Sequence, residues 1–433
     1  MTPGARLAAA IEILDDIEAT RRPAAGALKD WGLHHRFAGS ADRAAIAGLV
    51  YDALRRRASS AFLMDRESPR AILLGMLKLE RGLDVAAISA LCDGSRHAPA
   101  PLEEEERARL AQASLDGAPA AVAGDYPEWL DPYFAETFGE ERADELAALA
   151  SRAPLDLRVN SLKTDRDAVA AALASLDAVP TRWSPFGLRI ALAADAKSPG
   201  IHAEPAFLKG QIELQDEGSQ LAAVLCAAKP GEQAIDLCAG AGGKTLALAA
   251  MMENRGQIFA TDTDKRRLAP IHARLDRAGA RNVQVRTPRG ETDGLADLAG
   301  RADLVLIDAP CTGTGAWRRN PDAKWRIRPG ALAERVKEQI AVLDRAAPLV
   351  KPGGRILYAT CSVLEAENGA QVRAFLARQE GFAVVPPAEV IAALGERAFL
   401  FRRAVRLSDE GLLMTPRLTD TDGFFVAMLR RIG

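Results

Sequence analysis

The run Asp236-Leu-Cys-Ala-Gly-Ala-Gly-Gly-Lys-Thr245 decides the architecture: a short apolar strand stops at Leu237 and the chain passes through small residues directly into a helix. A turn of this kind exposes backbone N–H groups and a helix N-terminus at the carboxyl edge of a parallel sheet. Working outward, apolar runs of strand length fall at 233–237, 257–261, 282–286, 303–307 and 355–359. They alternate with helical patterns at 244–253, 265–278, 331–349 and 365–378. That alternation is the mark of βαβ units and predicts a doubly wound, Rossmann-like α/β sheet. The runs 412–414 and 424–429 are placed as antiparallel strands closing it.

Two nucleotide readings of the turn fail on spacing. A Walker A loop needs Gly where Cys238 stands, and a dinucleotide fingerprint needs a final Gly or Ala where Thr245 stands. The methionyl end of S-adenosylmethionine suits the loop Cys238, Ala239, Gly240, Ala241, Gly242, Gly243 and Lys244. Asp262, ending the next strand, is placed to accept both ribose hydroxyls. Taken alone, the turn reads equally as a tight strand-to-helix connection. A second motif, Asp308-Ala-Pro-Cys-Thr-Gly-Thr-Gly315, leaves strand 303–307 and sets a carboxylate and a thiol at its carboxyl end. A third, Tyr358-Ala-Thr-Cys-Ser-Val363, delivers another thiol to the same edge, so Cys311 and Cys361 face one pocket.

At 433 residues the chain exceeds one hydrophobic core and implies roughly two to four domains. Few histidines and aromatics argue against a metal-rich protein, and five scattered cysteines without a CxxC pair argue against a disulfide framework or metal site. Cys92 and Cys226 read as small buried hydrophobes, and Cys238 as an unreactive lining of the cofactor loop. No apolar run approaches the roughly 18 residues of a membrane span. The expectation is therefore a cytoplasmic chain with no membrane partner, taken as a monomer. A net charge of −2 does not exclude a nucleic acid, because only the contacting face need be basic. Lys265, Arg266 and Arg267, and then Arg318, Arg319, Lys324, Arg326 and Arg328 beside Trp317 and Trp325, are candidates for that face, with packing of a long loop as the competing reading.

Before the sheet the chain reads as helical. Leu7, Ile11, Leu14 and Ile17 keep helical spacing, as do Ile46, Leu49, Val50 and Leu54 after a candidate N-cap at Ser40, and a further apolar stripe runs from 72 to 79. The Pro/Ala/Glu-rich stretch 98–124 reads as a linker with one short helix. Boundaries are set to give a helical domain with linker over 1–125, a small α/β subdomain over 126–212 and the catalytic sheet over 213–433. The subdomain is expected to hold an acidic helix at 140–150, strands at 155–159 and 188–192, and a helix at 165–176.

The three motif blocks resemble those of the Nop/Sun family of RNA cytosine-5 methyltransferases. Further blocks of similarity are Leu157-Arg-Val-Asn-Ser-Leu-Lys163, Gln215-Asp-Glu-Gly-Ser-Gln220, Asn320-Pro-Asp-Ala-Lys-Trp325 and Thr421-Asp-Gly-Phe-Phe425. Residues 5–57, with Asp42-Arg-Ala-Ala-Ile-Ala-Gly-Leu-Val-Tyr51, resemble the NusB-like RNA-binding domain of the family's bacterial ribosomal-RNA enzymes. Two positions depart from the family pattern. Gly240-Ala241 replaces a common Ala-Pro, and Thr287-Pro-Arg-Gly290 stands where an Asp usually meets the adenine amino group, leaving that contact unassigned.

The resemblance implies S-adenosylmethionine as cofactor, RNA as partner with small-subunit ribosomal RNA foremost, and no metal. It also implies Cys361 as the nucleophile on carbon 6 of cytosine, Cys311 as the group assisting release, and Asp308 as the partner of ring N3. The chemistry agrees, since carbon 5 is a poor nucleophile until a thiolate adds at carbon 6. With an ordinary thiol only a few per cent ionised at neutral pH, nearby Lys or Arg charge or hydrogen bonding should favour ionisation, and Lys244 is expected to tune the pocket. Asp308, to hydrogen-bond N3, needs a carboxyl raised by burial. Two alternatives stand beside this reading: a DNA cytosine methyltransferase attacking through Cys311, and a non-catalytic ribosome-assembly factor that keeps the fold for binding.

Overall fold

A computed structural model describes residues 1–192, 199–287 and 294–433. Its contacts gather into two units. One holds residues 1–152 together with Trp317–Arg328, and the other holds 153–192, 199–316 and 329–433.

The first unit is all helical. Its opening helix Pro3–Thr20 is capped by the Thr2 hydroxyl and buries Leu7, Ile13, Leu14 and Ile17 at the anticipated spacing. The helices Ala24–His34, Ser40–Arg55, Arg57–Met64, Pro69–Leu79 and Val85–Leu91 contribute to its core, and Pro69–Leu79 is buried on every side, with Ile72, Leu73, Leu74, Met76 and Leu77 all inside. Ser40 is not the cap expected of it: Gly39 takes that position and Ser40 is the first helical residue. The stretch 98–124 is not a loose linker either. It forms Glu104–Ala111 and Ala120–Ala123, buries Leu102, Leu110 and Ala121, and seats Glu106 in a bidentate pair with Arg70 at 2.8 and 2.9 Å. Its acidic run misleads because one glutamate is a buried ion-pair partner and capping-box acceptor, a role composition does not reveal.

The second unit contains two sheets. The smaller is antiparallel, in the order β2-β3-β1-β4, from β1 Leu155–Val159, β2 Val179–Pro180, β3 Gly187–Ile190 and β4 Ile212–Leu214. Leu157, Val159, Leu188, Ile190 and Ile212 fill its core against the helix Arg166–Ala172, which the Asp165 carboxylate caps.

The larger sheet contains β5 Gln233–Asp236, β6 Gln257–Ala260, β7 Val283–Val285, β8 Ala302–Asp308 and β9 Val350–Thr360, all parallel to their neighbours in the order 9-8-5-6-7. Antiparallel strands β10 Phe382–Val384, β11 Arg406–Leu407, β12 Leu412–Met414 and β13 Phe424–Arg431 extend it beyond β9. Chain order runs outward one way from β5 to β7 and the other way from β8 to β9. A crevice therefore opens between the carboxyl ends of β5 and β8, where the strand order reverses. The expected helix 265–278 is interrupted at Pro270 into Lys265–Leu268 and Ile271–Ala278. Among the described residues no helix is long and apolar enough to cross a membrane.

Candidate active site

The glycine-rich turn after β5 keeps its shape through backbone ties. Ala239 N–H donates to Thr261 O at 2.9 Å, Gly242 N–H to Ala239 O at 2.8 Å, and Gly240 N–H to the Asp262 carboxylate at 2.9 Å. Gly242 has φ 86° and a Cβ there would come 2.6 Å from the Ile271 side chain, so only glycine fits. The turn holds without the family's common Ala-Pro because Gly240 itself takes φ 50° and Ala241 O accepts from Arg274 at 2.7 Å.

A cleft of about 260 Å³ lies over this turn. Cys238, Ala239, Gly240, Ala241, Gly243, Lys244 and Asp308 line it. Gly242 and Asp262 are not in its lining: Gly242 shapes the turn, and Asp262 is 2% exposed with Gly240 N–H and Asp264 N–H bound to its two oxygens. Six further lining groups escape the sequence reading of this cleft, namely Leu214, Gln215, Ser219, Asp236, Arg267 and Arg274. Gln215 and Ser219 belong to a block read only for its family resemblance, Leu214, Arg267 and Arg274 lie outside the blocks, and Asp236 reads there only as part of a strand. Burial pushes Asp236 up to about 7 and raises the Cys238 thiol, so Cys238 lines the cleft as an unionised group. Of the segment Thr287–Gly290 that stands where the family meets the adenine, Pro288–Gly290 lies outside the described residues.

At the mouth of β8, Lys244 Nζ sits 2.7 Å from Asp308. Burial alone would lower the lysine's proton affinity, but Asp308 and the nearby Cys361 sulfur together hold it above its ordinary value. Asp308 is not the buried carboxyl the sequence reading called for: its side chain is 34% exposed and paired with a cation. The difference arises because the strand end opens onto the cleft and the glycine turn brings Lys244 across to it.

The two motif cysteines meet. Cys311 Sγ and Cys361 Sγ are 3.4 Å apart, at the ends of adjacent parallel strands. Gly315 N–H donates to Cys361 O at 3.0 Å, and Val363 N–H to Thr314 Oγ1 at 2.9 Å, tying the two segments together. A Cβ on Gly315 would stand 2.0 Å from Gly423 O, which explains the glycine there. The bond to Cys361, burial, and the charges of Cys361 and Glu367 push the Cys311 thiol well above its ordinary range.

The aromatic and basic segment 317–328 is not an open nucleic-acid face. Trp317, Arg318 and Lys324 are 2%, 1% and 1% exposed inside the helical unit, Trp317 lies edge-on to Phe134, and Trp325 Nε1 donates to Leu54 O at 2.7 Å. Of the basic residues named for a nucleic-acid face, Lys265, Arg266, Arg267, Arg326 and Arg328 are exposed, and Arg267 also lines the cleft.

A doubly wound sheet with a glycine turn, an acid-lined cleft at the switch point and polar groups at neighbouring strand ends defines a Rossmann-like methyltransferase. Residues 223–430 match the family model of the 16S rRNA methyltransferase RsmB/F, and residues 126–197 match that of the ferredoxin-like domain of RsmF/B-like methyltransferases. Among relatives, the probable ribosomal RNA small subunit methyltransferase B of Synechocystis is 31% identical over 419 residues, 90% of this chain and 91% of that protein. The ribosomal RNA small subunit methyltransferase B of Sodalis glossinidius is 34% identical over 310 residues, 70% of this chain and 65% of that one. A methyltransferase homologue from Pyrococcus horikoshii superposes with TM-score 0.57 at 26% identity, over 72% of this chain and 97% of that one. The chain belongs to the RsmB/F methyltransferase family and is an RNA methyltransferase that uses S-adenosylmethionine. The cleft suits that cofactor: Asp236 and Asp308 offer carboxylates toward a cationic ligand, and the glycine turn leaves its backbone approachable.

Proposed function

We propose that the chain methylates carbon 5 of a cytosine in small-subunit ribosomal RNA through a covalent adduct on Cys361. The observation that carries this reading is the pair of thiols 3.4 Å apart beside the Lys244–Asp308 ion pair. The turn Cys238–Lys244 would hold the cofactor, with Asp236 and Asp308 facing it and Asp262 bracing the turn from behind, and the cofactor would supply the methyl group.

The Cys361 thiolate, stabilised by the Lys244 ammonium, adds to carbon 6 and forms an S–C6 bond. Ring N3 takes a proton relayed from Lys244 through Asp308, and the C5=C6 electrons make carbon 5 nucleophilic toward the methyl group. Cys311, its own proton given up to water once the Cys361 charge is spent in the S–C6 bond, then accepts the carbon 5 proton as a thiolate. The freed electrons restore the C5=C6 bond and break S–C6, returning Cys361 as thiolate and the N3 proton to the Lys244–Asp308 pair. A cytosine reaches this pocket only when unpaired or flipped, which suits a structured RNA with single-stranded elements.

Denaturing gel shifts with labelled RNA test the order of steps. Cys361→Ala abolishes turnover, by at least about 10^4-fold, and forms no adduct. Cys311→Ala still attacks and methylates but accumulates a denaturant-resistant complex. Adduct on Cys361→Ala and none on Cys311→Ala would reverse the assignment. Bisulfite mapping of a deletion strain identifies the target, and intact cytosine methylation in its small-subunit RNA would refute the proposed substrate.

A further inference from the structure

Two thiols in van der Waals contact pose a problem: chemistry that treats one as attacker and the other as release group requires the protein to tell them apart. The distinguishing group lies behind Cys311. Glu367 is 0% exposed, and the contacts of its carboxylate are all donors aimed at it. Thr312 N–H donates at 2.8 Å, the Thr312 hydroxyl donates to the other oxygen, and Gln339 Nε2 donates at 3.1 Å while also holding Pro310 O at 2.9 Å. Residues 310 and 312, on either side of Cys311, are thus clamped by one carboxylate and the amide it holds. The turn carrying Glu367 is itself locked to β9: Tyr358 Oη donates to Glu367 O at 2.6 Å, and Thr360 Oγ1 to Asn368 Oδ1 at 2.6 Å.

We propose that Glu367 is the positioning residue that sets the two thiols to different tasks, fixing the Cys311 loop and placing a buried negative charge on the Cys311 side, so that Cys361 enters the reaction as the thiolate and Cys311 as the thiol. The inference rests on the two-thiol reading above. The titratable and charged groups around Cys311 are Cys361 and Tyr358 on the neighbouring strand, Glu367 behind it, and Lys244 and Asp308 toward the cleft. The cation lies on the Cys361 side and the buried anion on the Cys311 side, so the single negative charge of the pair settles on Cys361. When that charge is spent in the S–C6 bond, the repulsion it exerted on Cys311 vanishes. Cys311 then releases its proton to water and becomes the base for the carbon 5 proton. Attack and release are ordered without any movement of the chain.

Glu367→Gln tests the electrostatic half, because the amide keeps the size and the Thr312 hydroxyl can turn to accept from it. In single-turnover experiments with the full chain and RNA, adduct formation slows about 10-fold or more at neutral pH while KM for RNA is unchanged. The pH profile of adduct decay moves to lower pH, since Cys311 ionises more readily. In a Cys311→Ala background, Glu367→Gln leaves adduct formation unaffected, as expected of a residue acting through Cys311. Glu367→Ala slows both steps. An unshifted decay profile in Glu367→Gln, with the Cys361 adduct still formed, overturns the role of Glu367 alone. Absence of an adduct in every protein, wild type included, overturns the two-thiol reading instead. Should Glu367→Gln fail to fold, the wild-type protein still decides. Iodoacetamide mapped by mass spectrometry labels Cys361 first at neutral pH and Cys311 only under alkaline conditions, and the reverse order refutes the proposal.

Discussion

Asp236 shows at the scale of one residue how the lining of a cleft is held at the expense of stability. It is 1% exposed, its Oδ2 accepts from Thr245 Oγ1 at 2.7 Å, and burial pushes it up to about 7 from an ordinary 3.8. A carboxyl raised in the folded state contributes stability that is complete below the unfolded value and is lost as pH rises through the folded one. Wild-type protein without cofactor therefore loses stability between about pH 4 and 7. Asp236→Asn does not, so its advantage in thermal melting grows across that window and levels off above it. The same variant binds S-adenosylmethionine about 10-fold or more weakly at pH 8 by calorimetry, because an ionised Asp236 is no longer there for the ligand's cationic end. Equal melting curves for the two proteins at all pH values would show that Asp236 is not strained by burial. The positions of Cys311, Cys361 and Asp308 at neighbouring strand ends are legible in the sequence, because each ends or follows an apolar run whose direction is unambiguous. The parts played by Asp236 and Glu367 are not legible, since each depends on burial and on partners such as Gln339 that only the folded sheet brings near.

At the scale of elements, the segment 317–328 separates what composition suggests from what packing does. Tryptophans interleaved with arginines read as a base-stacking surface, yet Lys324 Nζ donates to Arg55 O at 2.9 Å and Asp125 O at 2.6 Å, deep in the helical unit. Charge pattern alone cannot reveal this, because an exposed cation and a buried one satisfying carbonyls are the same letter. Burial, acting against the attraction of Asp125 and with the repulsion of Arg55 and Arg56, brings Lys324 down to about 7 from an ordinary 10.5. In Lys324→Met both carbonyls lose their donor, at a cost of roughly 1–3 kcal/mol each. The sign of the pH dependence follows. Between about pH 7 and 10.5 the unfolded lysine binds a proton that the folded one has shed, so wild-type stability rises with pH and the variant lacks that rise. Urea unfolding should show the gap between them widening across that window; a gap constant with pH would mean that Lys324 stays charged where it is buried.

For the whole molecule, the parallel strands are the most legible part, because β5, β6, β8 and the second half of β9, residues 356–360, are largely buried and read as mainly apolar runs. The two-residue β2 and β11 and the three-residue β4 and β10 are too short to carry a period. Equally illegible is that the helical unit takes twelve of its residues from a loop of the methyltransferase sequence, Trp317–Arg328. Those residues fill its interior: Trp317 against Phe134, Lys324 on two carbonyls, Trp325 on Leu54 O, and Asp322 accepting from Ala24 N–H at 3.2 Å. Without them, buried carbonyls of Leu54, Arg55 and Asp125 and the amide of Ala24 go unanswered, each a desolvation cost of roughly 1–3 kcal/mol, against a domain stability of about 5–15 kcal/mol. A fragment of residues 1–152 is therefore expected to keep helical far-ultraviolet dichroism while losing cooperative melting and the slow amide exchange of the Leu73 core. Adding the 317–328 peptide in excess should restore part of that protection by mass action. A fragment that melts cooperatively and exchanges as slowly as the full chain would show that the inserted segment merely rests on a helical unit already complete.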